Sequence, residues 1–130
     1  MKTVFTNGCF DILHRGHVEL LKYAKSLGDV LVVGLNSDRS VRENKGLDRP
    51  LNNQEDRKFI LESISFVDKV VIFDEKTPYN LINQLMPDII VKGSDYKKED
   101  VVGADLCEVK IFELINGHST TKTIKNISNR

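Results

Sequence analysis

The chain has 130 residues, and its 40% hydrophobic content is enough to bury the core of one domain. Its 19 Lys and Arg residues match its 19 Asp and Glu residues, so no net charge draws it to nucleic acid or to an anionic membrane. Cys9 and Cys107 lack metal-ligand spacing, and no segment is long enough for a signal peptide or a membrane span, so we expect a single cytoplasmic domain over residues 1–130 without a zinc site or a disulfide framework.

The first half of the chain alternates between strand and helix patterns. An apolar run ends at Asn7-Gly8, and a helical pattern then covers residues 16–28. The aliphatic run at residues 30–35 is typical of a parallel strand that is covered on both faces. The polar segment 37–51 is rich in cations and predicts a loop with a short helix.

The same alternation continues past residue 51. A helix capped by Asn52 or Asn53 is predicted to run to residue 63, with three apolar side chains facing the core: Phe59, Ile60 and Ile64. Residues 70–73 predict a third strand, and Pro78 suits the first turn of a helix that ends near residue 85.

Two further strands are predicted at residues 89–91 and 109–112, and a last helix begins within residues 117–120. Strands that alternate with helices indicate an α/β fold with a doubly wound parallel sheet of about five strands. Ligands of such sheets bind at the carboxyl ends of the strands, where the polar clusters of this sequence fall.

The most informative cluster joins the first predicted strand to the first helix. It reads Thr6-Asn7-Gly8-Cys9-Phe10-Asp11 and continues, after two residues, as His14-Arg15-Gly16-His17. A helix start presents unpaired N–H groups and a partial positive charge, so two imidazoles beside it form a site for phosphate oxygens. The alternative is that both histidines are ordinary polar residues at a helix start, but the pair with Gly16 favours phosphate binding.

These residues resemble the hallmark of the cytidylyltransferase-like nucleotidyltransferases, which is a Thr-x-Gly-x-Phe-Asp strand end followed by His-x-Gly-His. Two more motifs of that family occur in the expected order: Lys92-Gly93-Ser94-Asp95-Tyr96 and Gly117-His118-Ser119-Thr120-Thr121. The resemblance spans the whole chain, and three motifs on a matching βα pattern make chance a poor explanation. It implies the Rossmann-like nucleotidyltransferase fold.

Within this family, the chain is especially similar to the adenylyltransferase domain of the enzymes that make ADP-D-glycero-β-D-manno-heptose. The likeness lies in residues 6–14, 33–38, 45–50 and 91–96. Between Gly103 and Glu108 this chain is shorter than those enzymes. No heptose kinase domain precedes it in this sequence, so a separate kinase is expected to supply the acceptor.

Glycerol-3-phosphate cytidylyltransferases are also similar, at the two histidines and at residues 119–121. In those enzymes an Arg-Thr-Glu-Gly segment leads into the last motif, whereas this chain has Leu114-Ile115-Asn116-Gly117 there. The resemblance therefore favours transfer of AMP from ATP to a sugar 1-phosphate. Transfer of CMP from CTP to glycerol 3-phosphate or another small phosphate is the alternative.

The resemblance implies that an oxygen of the sugar 1-phosphate attacks the α-phosphorus of ATP and that pyrophosphate leaves in line. Because the nucleophile is already an anion, catalysis should depend on positioning and on neutralising charge. The predicted catalytic residues are His14, His17 and Lys45. The predicted nucleotide-binding residues are Thr6, Asn7, Gly8, Cys9, Phe10, Asp11, Gly16, Lys92, Gly93, Asp95, Tyr96, Gly117, Ser119, Thr120 and Thr121.

Substrate contacts are expected from Lys45, Arg49 and Arg57. The alternatives are a solvated surface lysine for Lys45, a helix-borne arginine paired with a carboxylate for Arg57, and ordinary helix capping for Ser119. The resemblance also implies a contact of Asp11 with the nucleotide or with a metal ion.

Mg²⁺ is the expected cofactor, because a triphosphate carries more charge than a few cations offset and this ion binds mainly through phosphate and water. The sequence has no dedicated metal cage, and the resemblance implies a homodimer. A nucleotide-binding sensor without turnover is the alternative from another functional class. An oxidoreductase is disfavoured, because the first βα turn lacks the glycines of G-x-G-x-x-G.

Overall fold

The computed structural model describes residues 1–113, so the predicted last helix and the motif at residues 117–121 lie outside the described residues. Strands in this part are Thr3–Gly8 (β1), Val30–Asn36 (β2), Lys69–Phe73 (β3), Ile89–Gly93 (β4) and Glu108–Phe112 (β5). Helices are Arg15–Ser26 (α1), Asp38–Lys45 (α2), Gln54–Glu62 (α3) and Tyr79–Leu85 (α4), with a 3-10 turn at Lys98–Asp100. Each strand and each of the helices α1, α3 and α4 begins and ends close to its predicted limits, and α2 is the short helix predicted within residues 37–51.

The strands form one parallel sheet in the order β3-β2-β1-β4-β5. The chain moves outward from β1 to β2 and β3, and then crosses back to add β4 and β5 on the other side of β1. The predicted doubly wound α/β sheet is thus confirmed. The reversal of direction beside β1 creates the crevice in which such sheets bind ligands.

Alternate strand residues point to opposite faces of the sheet and build two cores. Val4 packs with Leu21 of α1 and Leu61 of α3 on one face. Its neighbour Phe5 packs with Ile82 of α4 on the other face. Because both faces are covered, the strands read as continuous apolar runs. No helix within residues 1–113 combines the length and the apolar character needed to cross a bilayer.

Helix α3 is rotated relative to the prediction. Phe59 is 71% exposed and Ile60 is 42% exposed, whereas Ile64 packs against the core as predicted. The inner face of α3 carries Arg57 and Leu61, which are four residues apart and therefore lie one above the other. The prediction was wrong for Phe59 and Ile60 because an arginine is expected at the surface, whereas Arg57 lies in the interior.

Candidate active site

A cavity of about 560 Å³ opens at the carboxyl ends of β1, β2 and β4, and this volume is typical of small-ligand sites. Every predicted site residue within residues 1–113 lines it, with the exception of Arg57. These residues are Thr6, Asn7, Gly8, Cys9, Phe10, Asp11, His14, Gly16, His17, Lys45, Arg49, Lys92, Gly93, Asp95 and Tyr96. Gly117, Ser119, Thr120 and Thr121 lie outside the described residues.

The two histidines cap the start of α1 and are held by its backbone. His14 Nδ1 accepts a hydrogen bond from the Gly16 N–H at 3.0 Å, and His17 Nδ1 accepts one from the His14 N–H at 3.2 Å. The rings stack with their centroids 3.9 Å apart. Because each Nδ1 is an acceptor, a neutral ring carries its proton on Nε2. The cap therefore fixes the tautomer of each neutral imidazole, in which Nε2–H is the hydrogen-bond donor.

His17 is held neutral by its surroundings. Burial, and secondarily the neighbouring His14, lower the pKa of His17 from 6.5 to about 4. The ring also meets the edge of Phe10 at a centroid distance of 5.4 Å. Phe10 has a left-handed φ of 46°, a conformation that costs a non-glycine residue energy and is common at functional sites. His17 at neutral pH is thus an uncharged hydrogen-bond donor.

The low pKa of His17 predicts that mild acid destabilises the fold. An unfolded chain protonates this ring near pH 6.5, whereas the folded chain does so only near pH 4, so the unfolded state takes up its proton first as the pH falls. The free energy of unfolding should fall across this window by on the order of 3 kcal/mol from this group alone.

Urea unfolding of the wild type and of His17→Asn at several pH values between 7 and 4 measures this contribution. Asparagine retains an acceptor near the position of Nδ1 but does not titrate. The variant should lose less stability than the wild type on acidification. Equal losses in the two proteins would show that His17 is not kept neutral in the folded state.

Arg57 is a fully buried clamp between three backbone segments. Its Nε donates to the Asn52 carbonyl at 3.0 Å, and its Nη1 donates to the carbonyls of Cys9 and Asn36, both at 2.8 Å. Its Nη2 forms an ion pair with Asp38 at 2.8 Å. The guanidinium thus ties the loop after β1 to the end of β2 and to the start of α3.

The substrate-binding role predicted for Arg57 is corrected by this placement. The side chain has no exposed surface and does not line the cavity. Arg57 instead forms an ion pair with Asp38, which agrees with the alternative of an arginine paired with a carboxylate. Its effect on the site is to fix the loops that surround the cavity.

Asp11, like Arg57, holds a neighbouring loop in place. Its carboxylate accepts hydrogen bonds from the Leu51 and Asn52 N–H groups at 2.8 to 2.9 Å, and Arg49 Nε pairs with it at 3.1 Å. The side chain of Asp11 has no exposed surface. Both oxygens hold the loop that follows Lys45, and the contact of this carboxylate with the nucleotide or a metal ion stays a prediction.

Lys92 lies beside the carboxyl end of β1. Its ammonium donates to the Asn7 carbonyl at 3.0 Å and lies 4.7 Å from the centroid of the Tyr96 ring. Burial lowers the pKa of Lys92 to about 8, although Asp95 opposes the shift. This wall of the cavity therefore offers a fixed, partly desolvated cation next to an aromatic face.

Cys9 also lines the cavity, and burial raises the pKa of its thiol in spite of the nearby cations Lys45, Arg57 and Arg49. A protonated thiol is a weak nucleophile. Both cysteines of the chain are free thiols. The raised pKa therefore argues against covalent catalysis by Cys9.

Several cavity residues were not predicted from the sequence: Leu20, Asn36, Asn44, Lys76, Thr77, Pro78, Val101 and Val102. Asn36 ends β2, and residues 76–78 follow β3. The rule that ligands bind at the carboxyl ends of strands already pointed to both places. Asn36 lies in segment 33–38, which carries the family likeness, but it was given no role; the other residues were missed because no recognised motif contains them.

The comparisons with known proteins agree with the fold and the motifs. The cytidylyltransferase-like family model matches residues 5–125. Bifunctional protein HldE from Campylobacter concisus (strain 13826) is 58% identical over 127 residues, covering 97% of this chain and 27% of the relative. The HldE of Campylobacter fetus subsp. fetus (strain 82-40) is 59% identical over 125 residues, with 95% and 27% covered. The chain thus spans about a quarter of the length of these relatives.

Two solved structures share the architecture. A lipopolysaccharide core biosynthesis protein from Thermoplasma volcanium GSS1 is 30% identical, with a TM-score of 0.74 over 88% of this chain and 97% of the other. Pantoate-beta-alanine ligase from Francisella tularensis is 21% identical, with a TM-score of 0.68 over 96% of this chain and 65% of the other, and it shows the fold alone. Since the family model covers nearly the whole sequence, the chain belongs to the cytidylyltransferase-like family.

Proposed function

We propose that this chain is a nucleotidyltransferase that moves AMP from ATP to a sugar 1-phosphate, D-glycero-β-D-manno-heptose 1-phosphate, and releases pyrophosphate. The observation that carries the proposal is the pair of capped imidazoles at the start of α1, which share one cavity with Lys45 and Lys92. Identity to HldE proteins, which are bifunctional heptose kinase/adenylyltransferases, supports the heptose acceptor. The lipopolysaccharide biosynthesis protein of similar structure supports a role in the same area of carbohydrate metabolism.

The reaction is a displacement at phosphorus. An oxygen of the acceptor phosphate forms a bond to the α-phosphorus, the bond from that phosphorus to the bridging oxygen breaks, and pyrophosphate leaves with the electron pair. The acceptor is already an anion, so no side chain has to remove a proton. The site therefore has to bring two anions together and stabilise the charge that moves to the leaving group.

The described residues meet this demand from three sides. The imidazoles of His14 and His17, which line the cavity, and the N-terminus of α1 would contact oxygens of the triphosphate. Lys45, at the end of α2, supplies a cation that reduces repulsion between the α-phosphoryl group and the incoming phosphate. Lys92 supplies a second cation on the β4 side of the cavity.

Mg²⁺ would accompany the triphosphate. Within residues 1–113, no group of three or more His, Cys, Asp or Glu side chains is placed to hold a metal ion. The carboxylate of Asp11 is engaged by the loop at residues 49–52. These observations suit an ion that is held by phosphate oxygens and water. When bound, it would neutralise charge on the β- and γ-phosphates.

A cytidylyltransferase acting on glycerol 3-phosphate would use the same cavity, but the relatives at 58 to 59% identity are HldE proteins, which favours ATP and the heptose. The cytoplasmic location and the homodimer stay predictions of the sequence. Light scattering of the purified protein measures the oligomeric state.

Pyrophosphate release tests the proposal directly. Purified protein with Mg²⁺ receives ATP or CTP, each with D-glycero-β-D-manno-heptose 1-phosphate or with glycerol 3-phosphate. Release should occur with ATP and the heptose phosphate and exceed that of the other three mixtures by a wide margin. Turnover only with CTP and glycerol 3-phosphate would replace the proposal by its alternative. Nucleotide binding without turnover in any mixture would favour a sensor.

A further inference from the structure

One wall of the cavity has no assigned role. It consists of Asn44 near the end of α2 and of Lys76 and Thr77 in the loop between β3 and α4. We name these three residues the β3 wall. The β3 wall lies across β1 from Lys92 and Tyr96, because β3 and β4 occupy opposite sides of β1 in the sheet. The start of α1, with its two histidines, follows β1 between them.

The backbone of the β3 wall is fastened to α2. Ser40 Oγ donates to the Glu75 carbonyl at 2.8 Å, and Asn44 Nδ2 donates to the Lys76 carbonyl at 3.1 Å. Asp74, at the start of the loop, accepts hydrogen bonds from Ser37 Oγ at 2.6 Å and from Arg39 at 3.2 Å. The loop is therefore positioned by the helix that ends at Lys45, and its side chains face the cavity from a fixed base.

The β3 wall is cationic and polar. In the part of the chain that the structure describes, neither Lys45 nor Lys76 forms a salt bridge with a carboxylate. Both side chains are exposed, and both residues line the cavity. Two uncompensated ammonium groups beside a hydroxyl and an amide match the chemistry of a phosphate attached to a polyhydroxylated molecule.

The opposite wall has another character. Tyr96, Val101 and Val102 give it an aromatic and apolar surface next to the buried ammonium of Lys92. Such a surface suits the flat face of a base more than a sugar covered with hydroxyl groups. The two substrates of a nucleotidyl transfer therefore have two chemically different walls available, with the start of α1 and its two histidines between them.

We propose that the β3 wall binds the acceptor, with Lys76 pairing with the phosphate of the sugar and Thr77 and Asn44 forming hydrogen bonds to its hydroxyl groups. The inference rests on the proposed function and extends it by naming the residues that select the acceptor. Lys45 then lies where the two substrates meet, and Lys76 acts on the acceptor alone.

Lys76→Gln and Thr77→Val test the assignment, since each removes the interacting group with little change in size. At saturating ATP, Lys76→Gln should raise the KM for D-glycero-β-D-manno-heptose 1-phosphate about tenfold or more, the loss expected for one hydrogen bond to a charged group. Thr77→Val should raise it by roughly 2- to 10-fold. The Kd for ATP measured without acceptor should stay unchanged in both variants.

Lys69→Gln is the matched control, because Lys69 is an exposed lysine at the opposite end of β3. An acceptor KM in Lys76→Gln equal to that of the control, or a weaker Kd for ATP, would overturn the assignment while leaving the proposed function intact.

Calorimetric binding of the same heptose phosphate in the presence of α,β-methylene ATP separates the two claims. Binding that needs Lys76, in a protein without turnover, would support the β3 wall and contradict the proposed function. A wild-type chain that does not bind this phosphate would contradict both.

Discussion

Replacing His17 with asparagine should lower kcat on the order of 10²- to 10³-fold, the cost of removing one donor to charge that develops in a transition state. The substitution keeps an acceptor near the position of Nδ1, so the hydrogen bond from the His14 N–H can persist and α1 can keep its start. The Nε2–H is lost. Because this donor acts on the transferring phosphoryl group, the KM for ATP should change much less than kcat.

His17→Gln is the matched variant, because its amide nitrogen extends toward the position of Nε2 while the acceptor at Nδ1 is lost. It should retain more activity than His17→Asn but unfold at a lower urea concentration. The pair separates catalysis from capping, which both depend on this imidazole. Equal activity in the asparagine variant and the wild type would remove His17 from the catalytic machinery.

Replacing Arg57 with methionine should lower the free energy of unfolding on the order of 3 to 5 kcal/mol, the range found when one member of a buried ion pair is removed. The carbonyls of Cys9, Asn36 and Asn52 lose their donor. Asp38 also loses its ion-pair partner. Buried polar groups without partners are costly, and here they lie in segments that surround the cavity.

Lys58→Met provides the control, since Lys58 is the next residue of α3 and does not share the buried position of Arg57. Urea unfolding of both variants measures the difference, and Lys58→Met should stay within about 0.5 kcal/mol of the wild type. Arg57→Lys should be intermediate, because it keeps the charge but loses the planar fork that reaches several acceptors at once. A stable Arg57→Met protein would show that the loops do not need the clamp.

The fold was predictable because its signals are local. The aliphatic runs of β2 and β4 and the helical pattern of α1 each appear within a few residues, and their alternation is sufficient to indicate a parallel sheet. The strand ends then placed the histidines and Lys92 at one edge of the sheet, where the cavity lies. The order of the motifs along the chain is sufficient to indicate the family.

Directions of side chains were not predictable in the same way. Arg57 and Asp11 are charged residues in motif-like surroundings, and a sequence does not show whether such a group faces a ligand or a neighbouring loop. Both side chains are buried by hydrogen-bond partners that lie far away along the sequence. Leu51 is 40 residues from Asp11, and Cys9 is 48 residues from Arg57. The side chain of Phe59 is exposed because Arg57, two residues earlier in α3, occupies the buried face of the helix.

The site of bond cleavage in ATP is the most direct test of the central claim, that this cavity performs nucleotidyl transfer. The wild-type protein is given Mg²⁺, D-glycero-β-D-manno-heptose 1-phosphate and ATP labelled with ³²P at either the α- or the γ-position. The α-label should appear in an ADP-sugar, and the γ-label should appear only in pyrophosphate. Transfer of the γ-label to the acceptor, or its release as inorganic phosphate, would contradict the proposed reaction.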